Sequence, residues 1–266
     1  MNQIIHPIQD ADYRSRDGVS QSSLKEFSRS PAHFYHRITH PKEATPAMEF
    51  GSLVDHLLFG SGYRWVESPY DDFRGKESKA WKESMEASRT TVFKPSRVAE
   101  ARALVESVRR RASTGVLLGS GRAQVAVFAD LESSDPDLGA IQCKGLLDFH
   151  CSDVAAVVDF KTTTDASPGE FSRTIINFGY DVQAAFYLDL LAANGEPDNE
   201  WFWIVAESEP PFEVAFYKAP AALIDRGRAK YRHYLATLLR CLKTDTWPGY
   251  PDEIQLAAVP EWALRP

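Results

Sequence analysis

Cysteine is scarce in this chain. Cys143, Cys151 and Cys241 are the three in 266 residues, odd in number and far apart. A disulfide framework and a four-cysteine iron–sulfur or zinc cluster therefore find no support, and a reducing, cytoplasmic compartment is the expectation. Apolar runs of membrane-spanning length are also missing, so no membrane partner is expected. The first residues, Met-Asn-Gln-Ile-Ile-His-Pro, lack the basic and apolar regions of a secretory signal. Cations are in deficit, with 30 Lys and Arg against 37 Asp and Glu, a net charge of −7. That disfavours coating of nucleic acid by bulk charge but not a local basic channel, because phosphate affinity depends on where the cations sit. Internal repeats and low-complexity linkers are absent too. What remains, 44% hydrophobic and 25% charged residues, describes an ordinary globular protein, and one elaborated domain over residues 1–266 is the natural reading.

Hydrophobic periodicity divides that domain in two. Residues 1–123 read as mainly helical. An irregular arm covers 1–18, and a helix starts near Ser20, with Ser23 and Glu26 in capping-box spacing. It stops near Ser30-Pro31, and an aromatic, histidine-rich stretch runs to Pro41. Phe50, Leu53, Val54, Leu57 and Leu58 make Pro46 to Phe59 an amphipathic helix. A loop over 60–76 and helices over about 77–88 and 96–113 follow. From residue 124 strand signals dominate: Gln124–Ala129, Ala140–Phe149 and Val154–Phe160. A helix over about 178–193, strands Trp201–Ala206 and Phe212–Tyr217, a long helix over about 220–243 and an extended tail complete the chain. This order predicts an α/β fold with a central mixed sheet flanked by helices, the N-terminal helices packing on the sheet.

The chemistry concentrates in two adjacent strands. Lys144-Gly-Leu-Leu-Asp148 is followed eleven residues on by Asp159-Phe160-Lys161. The link His150-Cys-Ser-Asp153 suits a hairpin turn, with Ser152 and Asp153 as turn formers. Folding it back brings Asp148 near the second strand, and twist or a bulge must carry Asp159 beside it. Two carboxylates at apolar strand ends are costly unless neutralised, and a divalent cation is the usual partner. Lys161 shares a strand face with Asp159 through the period of two. Such a set suits phosphodiester hydrolysis, with a metal-activated water and a lysine that orients it or offsets developing charge. Aspartates also end strands simply as turn residues, and D-x-K alone does not separate the two readings.

Other candidates carry the same double reading. His56 falls off the apolar stripe of its helix, beside Glu49 and Ser52, and is either a solvent-facing histidine or a metal ligand aimed at the sheet. Gly51 would let that helix approach the sheet closely. Gln183 and Tyr187 are one helical turn apart. They are either a solvated amide with a packed ring, or a neutral pair that holds a phosphate or steadies Lys161. Arg74, Lys76, Lys79 and Lys82 surround Trp81 and are either a solvated face or phosphate contacts. Arg109-Arg-Arg111 invites the same question.

Together these motifs resemble the RecE-type exonucleases (exonuclease VIII) of the PD-(D/E)XK nuclease superfamily, over nearly the whole chain. Phe50-Gly-Ser-Leu-Val-Asp-His56 is similar to the family's metal-histidine helix, and Arg74-Gly-Lys-Glu-Ser-Lys-Ala-Trp81 to its lysine-rich segment. Lys144-Gly-Leu-Leu-Asp148 and Val158-Asp-Phe-Lys-Thr-Thr163 resemble its acidic motifs. Asp181-Val-Gln-Ala-Ala-Phe-Tyr187 resembles its Q-x-x-x-Y helix, and Cys241 to Pro248 with Val259-Pro-Glu-Trp-Ala its C-terminal segment. Gln124 stands where many relatives carry a glutamate. The resemblance implies a restriction-endonuclease-like core and a 5′→3′ double-stranded DNA exonuclease. It also implies Mg²⁺ or Mn²⁺ held by His56, Asp148, Asp159 and the Phe160 carbonyl, with Lys161, Gln183 and Tyr187 catalytic. The implied partners are double-stranded DNA ends, a single-strand annealing protein and further copies of the chain in a ring. An endonuclease on the same fold and a DNA-end-binding protein without catalysis are the rivals.

Overall fold

The computed structural model describes residues 2–8, 10–40, 43–151 and 153–259. Pro41, the turn former Ser152 and the segment from Pro260 onward lie outside the described residues. In chain order the elements are β1 (Gln3–Ile5), α1 (Asp10–Ser15), β2 (Val19–Ser20), α2 (Gln21–Leu24), α3 (Pro31–Thr39) and α4 (Pro46–Phe59). Then come β3 (Trp65–Glu67), α5 (Lys76–Ala87), β4 (Thr91–Phe93), α6 (Pro95–Arg109), α7 (Ala112–Leu117), β5 (Arg122–Glu132) and β6 (Ala140–Cys151). The chain continues through β7 (Ala156–Thr163), α8 (Pro168–Phe178), α9 (Tyr180–Ala193), β8 (Glu200–Glu207), β9 (Val214–Lys218) and α10 (Ala221–Thr244).

Among the described residues seven strands form the main sheet, in the order β1-β5-β6-β7-β8-β9, with β2 beside β6. β7 runs parallel to β8 and β2 parallel to β6, and the other pairs are antiparallel. The sheet is therefore mixed, as its strand signals imply, and helices cover both faces. On one face Val125, Val127, Leu147, Val157, Trp201 and Trp203 pack against α9 and α10. On the other Phe149, Cys151, Val158, Phe160 and Ile204 meet Phe50, Leu53 and Val54 of α4 and Leu104 and Val108 of α6. Burial of two apolar layers against one sheet is the main source of stability. Among the described residues no helix is long and apolar enough to cross a membrane.

Where the elements depart from expectation, the causes are local. The N-terminal arm is not irregular, because β1 pairs with β5 and β2 with β6. Strands of two or three residues are too short to show alternation, and tertiary pairing decides them. The capping box at Ser23 and Glu26 does not form. α2 lasts one turn, the Ser23 hydroxyl donates to the Ser20 carbonyl at 2.9 Å, and a 3₁₀ turn over Lys25–Ser28 follows. The stretch after Ser30-Pro31 is helical, with the Ser30 hydroxyl oxygen accepting from the His33 N–H. The helix expected over 96–113 breaks after Arg109. Arg109 caps the Leu57 carbonyl at 2.9 Å and Arg111 pairs with Glu213 at 2.7 Å, so that arginine cluster fastens elements together.

Candidate active site

The site lies where β5, β6 and β7 change their relation to the two cores. Along β5, Ala123 faces the α4 side while Val125 faces the α9 side, although residues two apart in a regular strand share a face. Along β6 the same reversal separates Phe149 from Leu147. Ala123 pairs with Phe149 and Val125 with Leu147, so the skipped residues, Gln124 and Asp148, sit opposite each other. Gln124 takes φ +54°, the left-handed region that lets the chain switch faces in one residue. On the other side of β6, the ladder with β7 ends at Phe149–Val158, one step before Asp148 would meet Asp159. The Asp148 carboxylate takes over there and accepts the Phe160 N–H at 2.9 Å. The face switch and the end of the ladder thus do what a regular hairpin could not, and bring the two aspartates together.

Asp159 is 2% exposed. Its Oδ1 accepts from Gln183 Nε2 at 2.8 Å, and its Oδ2 lies 2.5 Å from Lys161 Nζ. The two groups form a buried ion pair. Lys161 Nζ also stands 4.8 Å from the centre of the Tyr180 ring. Gln183 therefore steadies Asp159 directly, and Lys161 only through it. Tyr187 packs behind the site. Its ring meets Gly145 so closely that a β-carbon there would fall 2.8 Å from Cε1, and it stands edge-on to Trp201.

A third carboxylate comes from α4, that of Asp55, one residue before His56. Ser52, Asp55 and Phe59, on one helix face, line a cavity of about 470 Å³ with Gln124 and Asp148. Gln124 Nε2 donates to the Asp55 carboxylate at 3.3 Å. Gly51 makes this possible as the sequence anticipates, because a β-carbon there would press to 3.3 Å on Thr162 of β7. His56 is not among the residues that line this cavity. Its Nδ1 donates to the Ser61 carbonyl at 2.5 Å and its ring stands edge-on to Trp65. The cause is helical geometry, since adjacent residues point about 100° apart and only one can face the sheet. The sequence signal for Asp55 was its spacing from Ser52 on the strip beside Gly51, which the adjacent histidine masked.

The electrostatics fit a cation site. Burial pushes the Asp148 carboxyl well above its ordinary range, reinforced by Asp159 and Asp55. Asp55 is raised to about 6, again mainly by burial. Asp159 is raised by burial against the opposing pull of Lys161 and Gln183. Burial alone would lower the Lys161 pKa, but Asp159, Tyr180 and Asp148 together hold it above its ordinary value. One ammonium thus faces three shielded carboxylates, and a hard, oxygen-seeking divalent cation matches the remaining charge. Among the described residues no three His, Cys, Asp or Glu side chains already stand in ligating geometry. Instead Lys161, the Phe160 N–H, Gln183 and Gln124 hold the carboxylates.

Arg74, Lys76 and Lys79 are exposed on and before α5. Lys82 pairs with Glu86 at 3.3 Å and lies over the Phe73 ring.

Residues 20–259 match the PDDEXK-like domain of unknown function (DUF3799). The chain belongs to this family. A crystal structure of a candidate exonuclease from Eubacterium rectale is similar over 98% of both chains, with a TM-score of 0.67 and 15% identity, which establishes the shared fold. A crystal structure of a phage-related exonuclease from Haemophilus somnus 129PT is matched over 89% of this chain and 100% of that one. There the identity is 12% and the TM-score 0.37. No curated protein matches the chain. PD-(D/E)XK nucleases generally use divalent metal ions, in keeping with the donor set found here.

Proposed function

We propose that this member of the PDDEXK-like family is a RecE-type, metal-dependent 5′→3′ exonuclease of double-stranded DNA. Its 3′ single-stranded tails would enter recombination by strand annealing in the cytoplasm. The observation that carries the reading is the apposition of Asp148 and Asp159 at the end of the β6–β7 ladder, with Lys161 Nζ 2.5 Å from Asp159. Asp55, Asp148, Asp159 and the Phe160 carbonyl would hold Mg²⁺ or Mn²⁺, with Asp55 replacing His56 in the expected set. When bound, the cation supplies charge neutralisation at the scissile phosphate and a water of lowered pKa.

The protein residues divide the remaining work. Lys161 is held as an ammonium by Asp159, so it orients the attacking water by donation and offsets phosphorane charge rather than removing a proton. Gln183 fixes the Asp159 carboxylate through Oδ1. Gln124 fixes Asp55, and Tyr187 supports β6 behind Asp148. The partners are double-stranded DNA ends, a single-strand annealing protein and further copies of this chain in a ring. All three rest on the resemblance.

Linear duplexes labelled at either the 5′ or the 3′ end, with a covalently closed circle beside them, test the proposal in Mg²⁺. Mononucleotide label should appear early from 5′-labelled strands only, and the circle should stay intact. Cutting of the circle would make the protein an endonuclease, and binding of ends without cleavage would leave only an end-binding module.

A further inference from the structure

Phe178, at the C-terminal end of α8, is 57% exposed, and its neighbour Ile176 is 45% exposed. Side by side at the end of one helix, they make a local apolar patch. The Phe178 ring stacks on Tyr180, with centroids 5.9 Å apart and planes inclined by 23°. Tyr180 in turn carries Lys161 Nζ over its own ring at 4.8 Å. Gly179 between them takes φ +69°, a left-handed turn that ends α8 and starts α9 with the two rings on one side. An aromatic path therefore runs from the protein surface to the lysine of the site.

Beside Phe178 lies a separate cleft of about 210 Å³, lined by Lys25, Arg29 and Lys230 with Glu26 as its one acid. Lys230 reaches the buried Asp181 at 3.2 Å, but Arg226 already neutralises that carboxylate at 2.5 Å. The cleft is thus cationic on a chain whose net charge is −7. Exposed rings for base stacking beside cations for phosphates are what an unpaired nucleic-acid strand requires.

We propose that Phe178 and the adjacent Arg29–Lys230 cleft form a single-stranded DNA subsite that leads to Lys161 through Tyr180. The occupant is a polyanion with flat apolar faces, which an acidic peptide or a lipid would not match. The proposal deepens the nuclease reading and rests on it for the direction of the path, but its binding test does not depend on hydrolysis.

The test is fluorescence anisotropy of a labelled oligothymidylate of about 12 nucleotides, a length within the range of single-strand sites. EDTA is present so that nothing is cut. Phe178→Ala should weaken binding roughly tenfold, the scale of one lost stacking contact. Phe178→Trp should retain affinity, and its indole emission should be quenched by the oligonucleotide. Arg29→Gln should flatten the slope of log affinity against log salt by about 0.7. An oligonucleotide affinity for Phe178→Ala within about twofold of wild type, at an unchanged melting temperature, would overturn the proposal. So would a Phe178→Ala protein that sediments as a smaller species yet binds the oligonucleotide normally, since that result assigns the patch to a second copy of the chain. A wild-type protein that binds in this way but never hydrolyses DNA would contradict the nuclease reading and leave the subsite standing.

Discussion

At the scale of single residues, two carboxylates and a lysine were legible because chemistry leaves a trace in sequence. Asp148, Asp159 and Lys161 interrupt apolar strands, and burying such groups is costly without a reason. Lys161→Ala should lower hydrolysis by about 10²–10⁴-fold, in the range of a lost charge-stabilising or proton-positioning group. Metal affinity, read by calorimetry, should not fall. A parallel collapse of metal binding would mean that the lysine only shapes the site. Asp55 was not legible, because the histidine next to it is the more familiar ligand and one sequence does not fix a helix's rotation to within 100°. Asp55→Asn should accordingly cost far more activity than His56→Ala, measured on the same labelled duplex. The two substitutions also differ in pH response. The Asp55 carboxyl is raised to about 6, so the folded protein holds that proton more tightly than the unfolded chain. Without metal, its contribution to stability should fall as pH rises from about 4 to about 6. The wild-type melting temperature in EDTA should decline over that window relative to Asp55→Asn. A constant difference would remove the assigned burial.

At the scale of elements, long periodic segments read well and short or switching ones did not. α4 runs from Pro46 to Phe59 as its apolar stripe dictates, started by the Thr45 cap and stopped by Gly60 at φ +69°. The β5–β6 face reversal at Gln124 and Asp148 has no signature in composition, since glutamine is not a residue that advertises a positive φ. Nor do β1, β2, β3 and β4, whose lengths of two or three residues leave pairing partners to decide. The close approach of α9 to β6 gives a sharp test. Gly145→Ala would drive a methyl to 2.8 Å from the Tyr187 ring, and overpacking of this kind costs about 1–3 kcal/mol. Chemical denaturation should show the loss. Stability equal to wild type would mean that α9 yields easily and that Tyr187 is not a rigid support. Gly227 serves the same helix from the other side, because a β-carbon there would meet the Asp181 carbonyl at 2.0 Å.

At the scale of the whole molecule, net charge and local charge part company. A chain at −7 still presents a cationic cleft beside Phe178, while in its most obvious basic run Arg74, Lys76 and Lys79 are exposed. The segment resembles a lysine-rich motif, and its sequence fits either a solvated face or a set of phosphate contacts. Lys82 is taken up by Glu86 and Phe73, and we propose that the segment as a whole is a solvated face. Neutralising Arg74 and Lys76 together should leave the salt dependence of duplex binding within about half a unit of wild type, against the 1–2 units expected for two lost phosphate contacts. A slope flattened by that larger amount would return the segment to the DNA interface. Fold class was readable at this scale because strand and helix signals alternate in the order the sheet uses. The arrangement of the site was not, since it depends on one strand face switch and one helix rotation.

The central claim is that the carboxylates around Lys161 make a metal-dependent phosphodiesterase. The most direct measurement is release of acid-soluble nucleotides from a linear duplex, by wild type and Asp159→Asn in parallel, with Mg²⁺ and then with EDTA. Wild type should release nucleotides steadily in Mg²⁺ and not at all in EDTA, and Asp159→Asn should release none although it still binds the duplex. Release by Asp159→Asn at the wild-type rate, or no release by folded wild type in either Mg²⁺ or Mn²⁺, would contradict that claim.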